Sequence, residues 1–299
     1  MDHMHLMTVF VAVGEQESFA AASRSLNLSP AAITRAVAAL EDKLGAQLLQ
    51  RTTRSVRLTE AGQRYLDDCR AILASIEDAN DAVAGGIATP KGLLTITASV
   101  LFGKVFVTPC IVQYLKEYPE VDISAYFLDR PVNLIEEGMD VAVRLGHLAD
   151  SSMKALRVGQ MRRVLCASPE YLARHGVPQH PSDLERHSII AASHLTPRVE
   201  WKFGRGEDSV SVRLKPRLTI TANDAAIRAA AEGLGICRLL SYQMADELAD
   251  GRLRIILPEY EEEPWPVHIL HRESKYGSSK VRKFIDLLAQ HLRSHPHLN

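Results

Sequence analysis

Residues 59–87 read as one uninterrupted helix, and that helix divides the chain into regions of different character. Tyr65, Cys69, Ile72, Ile76, Ala79 and Val83 recur at steps of 4, 3, 4, 3 and 4, which sets them along a single a/d seam. Leu66 and Leu73 widen the seam, and Asp67, Asp68, Glu77 and Asp78 flank it with charge. Thr59 caps the start, with Glu60 and Ala61 in the first turn, and Gly85-Gly86 followed by Thr89-Pro90 breaks the end. A long helix with one apolar seam is rarely stable alone in water. It packs on its own domain's core or pairs with a second copy, and pairing is the favoured reading.

Before the long helix, residues 1–58 are Ala-rich and helical. Leu6, Val9, Phe10 and Val13 recur at helical spacing, so a first helix runs to about Gly14. Ser18 caps a second, Phe19 to Leu26, and the turn Asn27-Leu28 leads to Ser29-Pro30. Ser at the cap with Pro at the first helical position is a specific helix start, because Pro lacks only an N–H that would be unpaired there. This third helix runs from Pro30 to Leu44 and stops at Gly45. Ile33, Val37, Leu40 and Leu44 form its apolar stripe. Ala31, Thr34, Arg35 and Ala38 lie opposite, a short-chained face with no acid in the first two turns. Such a face fits a major groove, where Arg reads guanine and Thr or Ala touches a thymine methyl. The N–H groups beyond Ser29 and Pro30 aim a positive partial charge at phosphates.

The net charge of -1 gives no sign of a nucleic-acid partner, so any basic patch is local. Residues 47–58 read as a hairpin with a polar tip, in which Arg51, Arg54 and Arg57 meet no acid before Glu60. Alone, this is an ordinary solvated hairpin. Beside a capped helix–turn–helix, it makes a winged DNA-binding module the better explanation.

These motifs carry a resemblance. Ser18-Phe19-Ala20-Ala21-Ala22, Leu26-Asn27-Leu28-Ser29-Pro30-Ala31-Ala32-Ile33-Thr34-Arg35-Ala36-Val37, Leu48-Leu49-Gln50-Arg51 and Leu58-Thr59-Glu60-Ala61-Gly62 together resemble the N-terminal signature of LysR-type transcriptional regulators. Leu49 stands where that family often has Phe. The resemblance implies that Ser29, Pro30, Ala31, Thr34 and Arg35 meet DNA and that Arg51 and Arg54 belong to the wing. It further implies that the long helix is a dimer linker, presenting two modules to an interrupted inverted repeat. It also implies a homodimer that often assembles into a homotetramer, with RNA polymerase as a further candidate partner.

At about 150 residues per domain, the 299-residue chain has room for two domains. The compositional zones and the break at Gly85-Gly86 and Thr89-Pro90 set the bounds, and the resemblance names the parts: 1–58 the winged module, 59–88 the linker helix and 89–299 an effector domain. From residue 89 on, strands and helices alternate, as in a parallel α/β sheet. Strands are expected at Leu93–Ala98, Val121–Phe127, Asp140–Leu145, Leu218–Thr221 and Val267–Leu270. Helices are expected from about Phe102 to Tyr118, from Asp129 to Gly138, from Asn223 to Gly233 and from Ser278 onward. Open α/β sheets bind ligands outside the carboxyl ends of their strands. Ser99 and Asn223 stand at two such ends, either as helix caps or as contacts to a small polar or anionic ligand.

Asp140-Val141-Ala142-Val143-Arg144, Cys166-Ala167-Ser168-Pro169-Glu170-Tyr171-Leu172 and Glu232-Gly233-Leu234-Gly235-Ile236 resemble the two-lobed, periplasmic-binding-protein-like effector domain of the same family. Lobe I would be about 91–163 and 267–299, and lobe II about 164–266. Cleft-facing positions would be Ser99, Leu101, Phe102, Arg144 and His147 on one lobe, Thr196 and Asn223 on the other. The expectation is thus a DNA-binding regulator controlled by an effector, with no enzymatic activity, cofactor or metal. No G-x-S-x-G elbow, P-loop or dinucleotide fingerprint occurs, and the four cysteines are dispersed. A transport-type solute-binding protein is disfavoured, because Met1 to Leu6 lacks the form of an export signal. The expected compartment is cytoplasmic, with no membrane partner.

Overall fold

The computed structural model describes residues 2–51, 56–83, 89–130, 132–134, 137–148, 153–192, 198–206, 209–272 and 278–298. The chain forms two compact units that divide between Leu93 and Leu94.

In the first unit, α1 (His3–Gln16), α2 (Phe19–Ser25) and α3 (Pro30–Leu44) precede a hairpin of β1 (Leu49–Arg51) and β2 (Val56–Leu58), and then α4 (Glu60–Val83). The caps are those expected: Ser18 Oγ accepts the Ala21 N–H and Ser29 Oγ accepts the Ala32 N–H, each at 3.2 Å. Gly45 ends α3 at φ 65°. Phe10, Val13, Ile33, Val37 and Leu40 are buried together. Leu44 departs from the expected stripe. It lies in the last turn and is 39% exposed, and Ala36 fills the core instead. Leu66 and Cys69 of α4 join the same core, and Thr59 Oγ1 caps α4 by accepting the Gly62 N–H at 2.9 Å.

The second unit contains two five-stranded sheets. One has the order β4 (Val121–Phe127), β3 (Gly92–Ala98), β5 (Val141–Leu145), β14 (Trp265–His271), β6 (Lys154–Met161). The other has the order β11 (Leu218–Ile220), β8 (Ile189–Ala192), β12 (Ile236–Leu240), β7 (Arg163–Ala167), β13 (Arg254–Ile256). A separate hairpin pairs β9 (Val199–Phe203) with β10 (Val210–Leu214). The sheets are mixed, which corrects the expectation of parallel ones. The chain leaves lobe I at the carboxyl end of β6 and re-enters at that same end. Hence β14 runs antiparallel to both β5 and β6. For the same reason β7, just after entering lobe II, runs antiparallel to β12 and β13. The carboxyl ends of β3, β5, β8 and β12 therefore point toward the boundary between the lobes.

Helices α5 (Val100–Phe102) and α6 (Thr108–Glu117) are joined by a π-helical segment, Gly103–Val107, so the expected helix is one rod with a wide turn. Gly103 at its start lets Phe127 of β4 pack directly on the backbone, since a Cβ there would lie 2.4 Å from the Phe127 ring. Helix α10 (Ser279–Ser294) lays Val281, Phe284, Ile285 and Leu288 on the lobe I core, and Tyr114 of α6 donates its hydroxyl to the Lys280 carbonyl at 2.8 Å. Lobe II carries α7 (Pro169–His175), α8 (Asn223–Ala231) and α9 (Ala245–Ala249). The helix expected over 129–138 is absent among the described residues, which make turns. Asp129 does not cap a local helix. Its carboxylate accepts the Val100 N–H at 3.0 Å, across from the next strand's end.

Among the described residues no helix is long and apolar enough to cross a membrane. Among them, too, no group of three or more His, Cys, Asp or Glu is placed to hold a metal ion.

Candidate nucleic-acid interface and effector site

The Ser29 cap and Pro30 start α3, and both are exposed. Burial of Ile33, Ala36, Val37 and Leu40 turns Ala31, Thr34, Arg35 and Ala38 outward, all exposed. The first turn contains no acid. Arg35 Nε donates to the Ala31 carbonyl at 3.4 Å, a long bond that leaves most of the guanidinium's donors available. Behind this face, Glu41 accepts the Leu48 and Leu49 N–H groups at 2.8 and 3.0 Å, fastening the hairpin to α3. Arg51 ends β1 opposite Val56, and Arg57 on β2 is exposed. Arg54 lies outside the described residues. The result is one exposed, acid-poor helix start with a basic hairpin secured behind it.

Helix α4 divides its seam between a covered part and an open one. Tyr65, Leu66, Cys69 and Leu73 pack on the first unit's own core, with Tyr65 and Phe10 rings 5.7 Å apart. Further along, Ala71, Ile72, Ser75, Ile76 and Ala79 line an open groove of about 380 Å3, and Ile72 is 46% exposed.

At the lobe boundary, Ser99 follows β3 and Tyr242 follows β12. Tyr242 packs edge-on against Phe102 and Phe106, at 5.7 and 5.3 Å. The Ser99 Oγ and the Tyr242 hydroxyl are both buried, and neither has hydrogen-bond geometry to a partner among the described residues. Burial raises the Tyr242 phenol, while nearby Ser99 and Gln243 work against the rise. Neither expected cap operates as such. Ser99 makes no side-chain cap bond, and Asn223 is the first residue of α8 rather than its cap, which is Ala222.

Arg144 on β5 is half-buried with one buried, unpaired Nη2, and burial lowers its pKa against the opposing pull of Glu137. Leu101 is half-buried against the lobe I core. Phe102 is fully buried in that core, its ring 4.6 Å from Phe106, so it packs the lobe and is closed to solvent. His147 is exposed in the turn after β5 and lines a pocket with residues of β6 and β14, apart from Ser99 and Tyr242. Thr196 lies outside the described residues.

Sequence reasoning missed Tyr242 and Asp129. Tyr242 reaches the site through the return of β12, and Asp129 through a loop 30 positions from Ser99, so no local pattern announces either. The four cysteines are free and buried. Burial pushes the Cys110 and Cys237 thiols up to about 12, far from the thiolate form.

Residues 4–63 match the bacterial regulatory helix-turn-helix protein family of LysR type, and residues 88–293 match the LysR substrate binding domain. The chain belongs to the LysR family. Its curated relatives are regulators of transcription, as is this chain, which is not an enzyme. It is 35% identical to the HTH-type transcriptional activator AaeR of Escherichia coli K12, over 97% of this chain and 94% of that one. It is 32% identical to an HTH-type transcriptional repressor of Pseudomonas aeruginosa, over 100% of this chain and 95% of that one.

Two full-length solved structures share the architecture of this LysR-family chain. One is CrgA, a LysR-type regulator of Neisseria meningitidis, with TM-score 0.62, 29% identity, and 98% and 99% of the two chains covered. The other is the virulence activator AphB of Vibrio cholerae, with TM-score 0.60, 28% identity, and 97% and 99% covered. This LysR-family regulator thus joins a DNA-binding helix–turn–helix to an α/β effector-binding domain.

Proposed function

We propose that Ser29, Pro30, Ala31, Thr34 and Arg35 of α3 enter the major groove of operator DNA while Arg51 and Arg54 grip the flanking backbone. The observation that carries this reading is the outward face of α3. It is exposed, short-chained and acid-free, bears one arginine, and stands at a capped helix start. Two copies paired along the exposed part of the α4 seam would present two such faces to an interrupted inverted repeat. Dimers of dimers and contact with RNA polymerase extend the same reading, and its place of action is the cytoplasm.

The effector is a small polar or anionic molecule held between the lobes by Ser99, Leu101, Arg144, Thr196 and Asn223, with Phe102 behind them; His147, also expected there, lines a separate pocket with residues of β6 and β14. The buried, unpaired Ser99 Oγ and Arg144 Nη2 support it, since buried polar groups ordinarily find partners. Phe102 would act from within the core as a wall, not by direct contact. Effector binding regulates only through different affinity for two lobe arrangements, and operator binding must then change effector affinity by the same factor.

The test is binding to the DNA upstream of the protein's own gene at several salt concentrations. Affinity should fall as salt rises, because neutralised phosphates release counterions. Arg35→Ala should cost about 1–3 kcal/mol and relax the preference at one base pair. An Arg35→Ala protein that binds its operator as tightly as the wild type refutes the placement of α3.

A further inference from the structure

Lobe I has a cavity of about 440 Å3 on the sheet face opposite its main core. Arg157 and Gln160 of β6, His268 and Pro266 of β14, His147 from the turn after β5, and Glu263 from the return crossover line it. Register makes this face cationic. His268 stands opposite Arg144 on β5 and opposite Arg157 on β6, so three basic side chains lie in a row across three strands. Directly opposed residues usually carry complementary charge, and like charges there are destabilising.

The carboxylates nearby are already engaged. Glu137 holds Arg130 through two bonds of 2.7 and 3.0 Å, and Glu263 faces Arg205 of lobe II at 3.6 Å. Arg157 is exposed to the cavity and donates to Gln160 Oε1 at 3.1 Å, a neutral partner. His268 Nδ1 is buried and has no hydrogen-bond partner among the described residues.

We propose that this cavity binds a small organic carboxylate. A guanidinium matches a carboxylate's two oxygens with two parallel N–H groups, and imidazole N–H groups add further donors. Arg157 would supply the fork, His268 and His147 the further donors, while Leu148 and Pro266 line the wall for the carbon body. The volume lies at the low end of the roughly 300–1,000 Å3 typical of small-molecule pockets, so a ligand of a few carbons fits. The site is distinct from the lobe boundary at Ser99 and Tyr242, and it reaches the crossover through Glu263.

Calorimetric titration of the full chain with sodium butyrate tests the site, with butyramide as its uncharged isostere and inorganic phosphate as a bare oxyanion. Butyrate should bind saturably and butyramide should not. Four groups face His268: Arg144, Arg157, His147 and Glu263. Burial, then the neighbouring Arg157, holds the His268 imidazole below its usual value; a bound anion makes it easier to protonate, so affinity should rise as the pH falls below about 6.5. Arg157→Gln and His147→Gln should each weaken butyrate about tenfold without lowering the thermal midpoint.

Equal binding of butyrate and butyramide, or no saturable butyrate heat, overturns the proposal. Phosphate binding without butyrate binding overturns the carboxylate class. Butyrate binding that survives Arg157→Gln but disappears in Ser99→Ala overturns this site while leaving an effector at the lobe boundary intact.

Discussion

Gly62 shows how one position can join two elements. A Cβ there would lie 1.9 Å from the Leu48 carbonyl oxygen, the same oxygen that accepts the Thr59 N–H at 2.9 Å. A backbone oxygen cannot swing aside as a side chain can, so Gly62→Ala must push α4 away from the hairpin. It should destabilise the first unit on the order of 1–3 kcal/mol, read as a shift in the denaturant midpoint. An unchanged midpoint would mean that the contact relaxes at no cost. Residue roles of this kind were unevenly legible. Ser18 and Ser29 could be read as caps because their partners lie three residues away. The company of Ser99 could not, because Asp129 and Tyr242 reach it only through the fold.

At the scale of elements, α4 divides its apolar seam. Its first turns are covered by the first unit's own core, while Ile72 remains exposed above a groove that Ile76 also lines. Replacing Ile72 and Ile76 together with Glu should give monomers by analytical ultracentrifugation, with little effect on folding, since neither side chain is buried. A native assembly that persists would place the interface elsewhere. The bounds of α3 were readable to the residue, because Ser29-Pro30 and Gly45 punctuate both ends. The strands β6 to β10, β12 and β13 were not read as such. Their sequences are short, either mixed in charge or uniformly apolar, and each is defined by the neighbour it pairs with. The helix expected over 129–138 does not form among the described residues for a related reason: its cap residue is recruited to α5.

At the scale of the whole molecule, three histidines among the described residues couple stability to pH. Burial first, then a neighbouring cationic group, holds His187, His268 and His295 below the usual value of 6.5. Each binds a proton less readily folded than unfolded. Below about pH 6.5 the unfolded chain takes up more protons, so stability falls on acidification; above that pH these groups contribute no slope. The thermal midpoint should decline as pH drops below that value, and His187→Gln should flatten the decline. His187 is the informative site because its Nδ1 lies 3.2 Å from the Tyr171 hydroxyl, inside lobe II. A midpoint indifferent to pH in the wild type would contradict this account.

The sequence by itself determined the family, the capped helices of the DNA-binding unit, the seam of α4 and the α/β character of the rest. All of these are written in spacings shorter than about two helical turns, where backbone geometry and amphipathic burial act locally. Tertiary structure alone decided the mixed sheets, the meeting of Ser99 with Tyr242, the enclosure of Phe102 and the row of Arg144, His268 and Arg157. Each depends on strands far apart in the chain falling into register, and register is fixed by the joint packing of both faces of a sheet, which no single segment encodes.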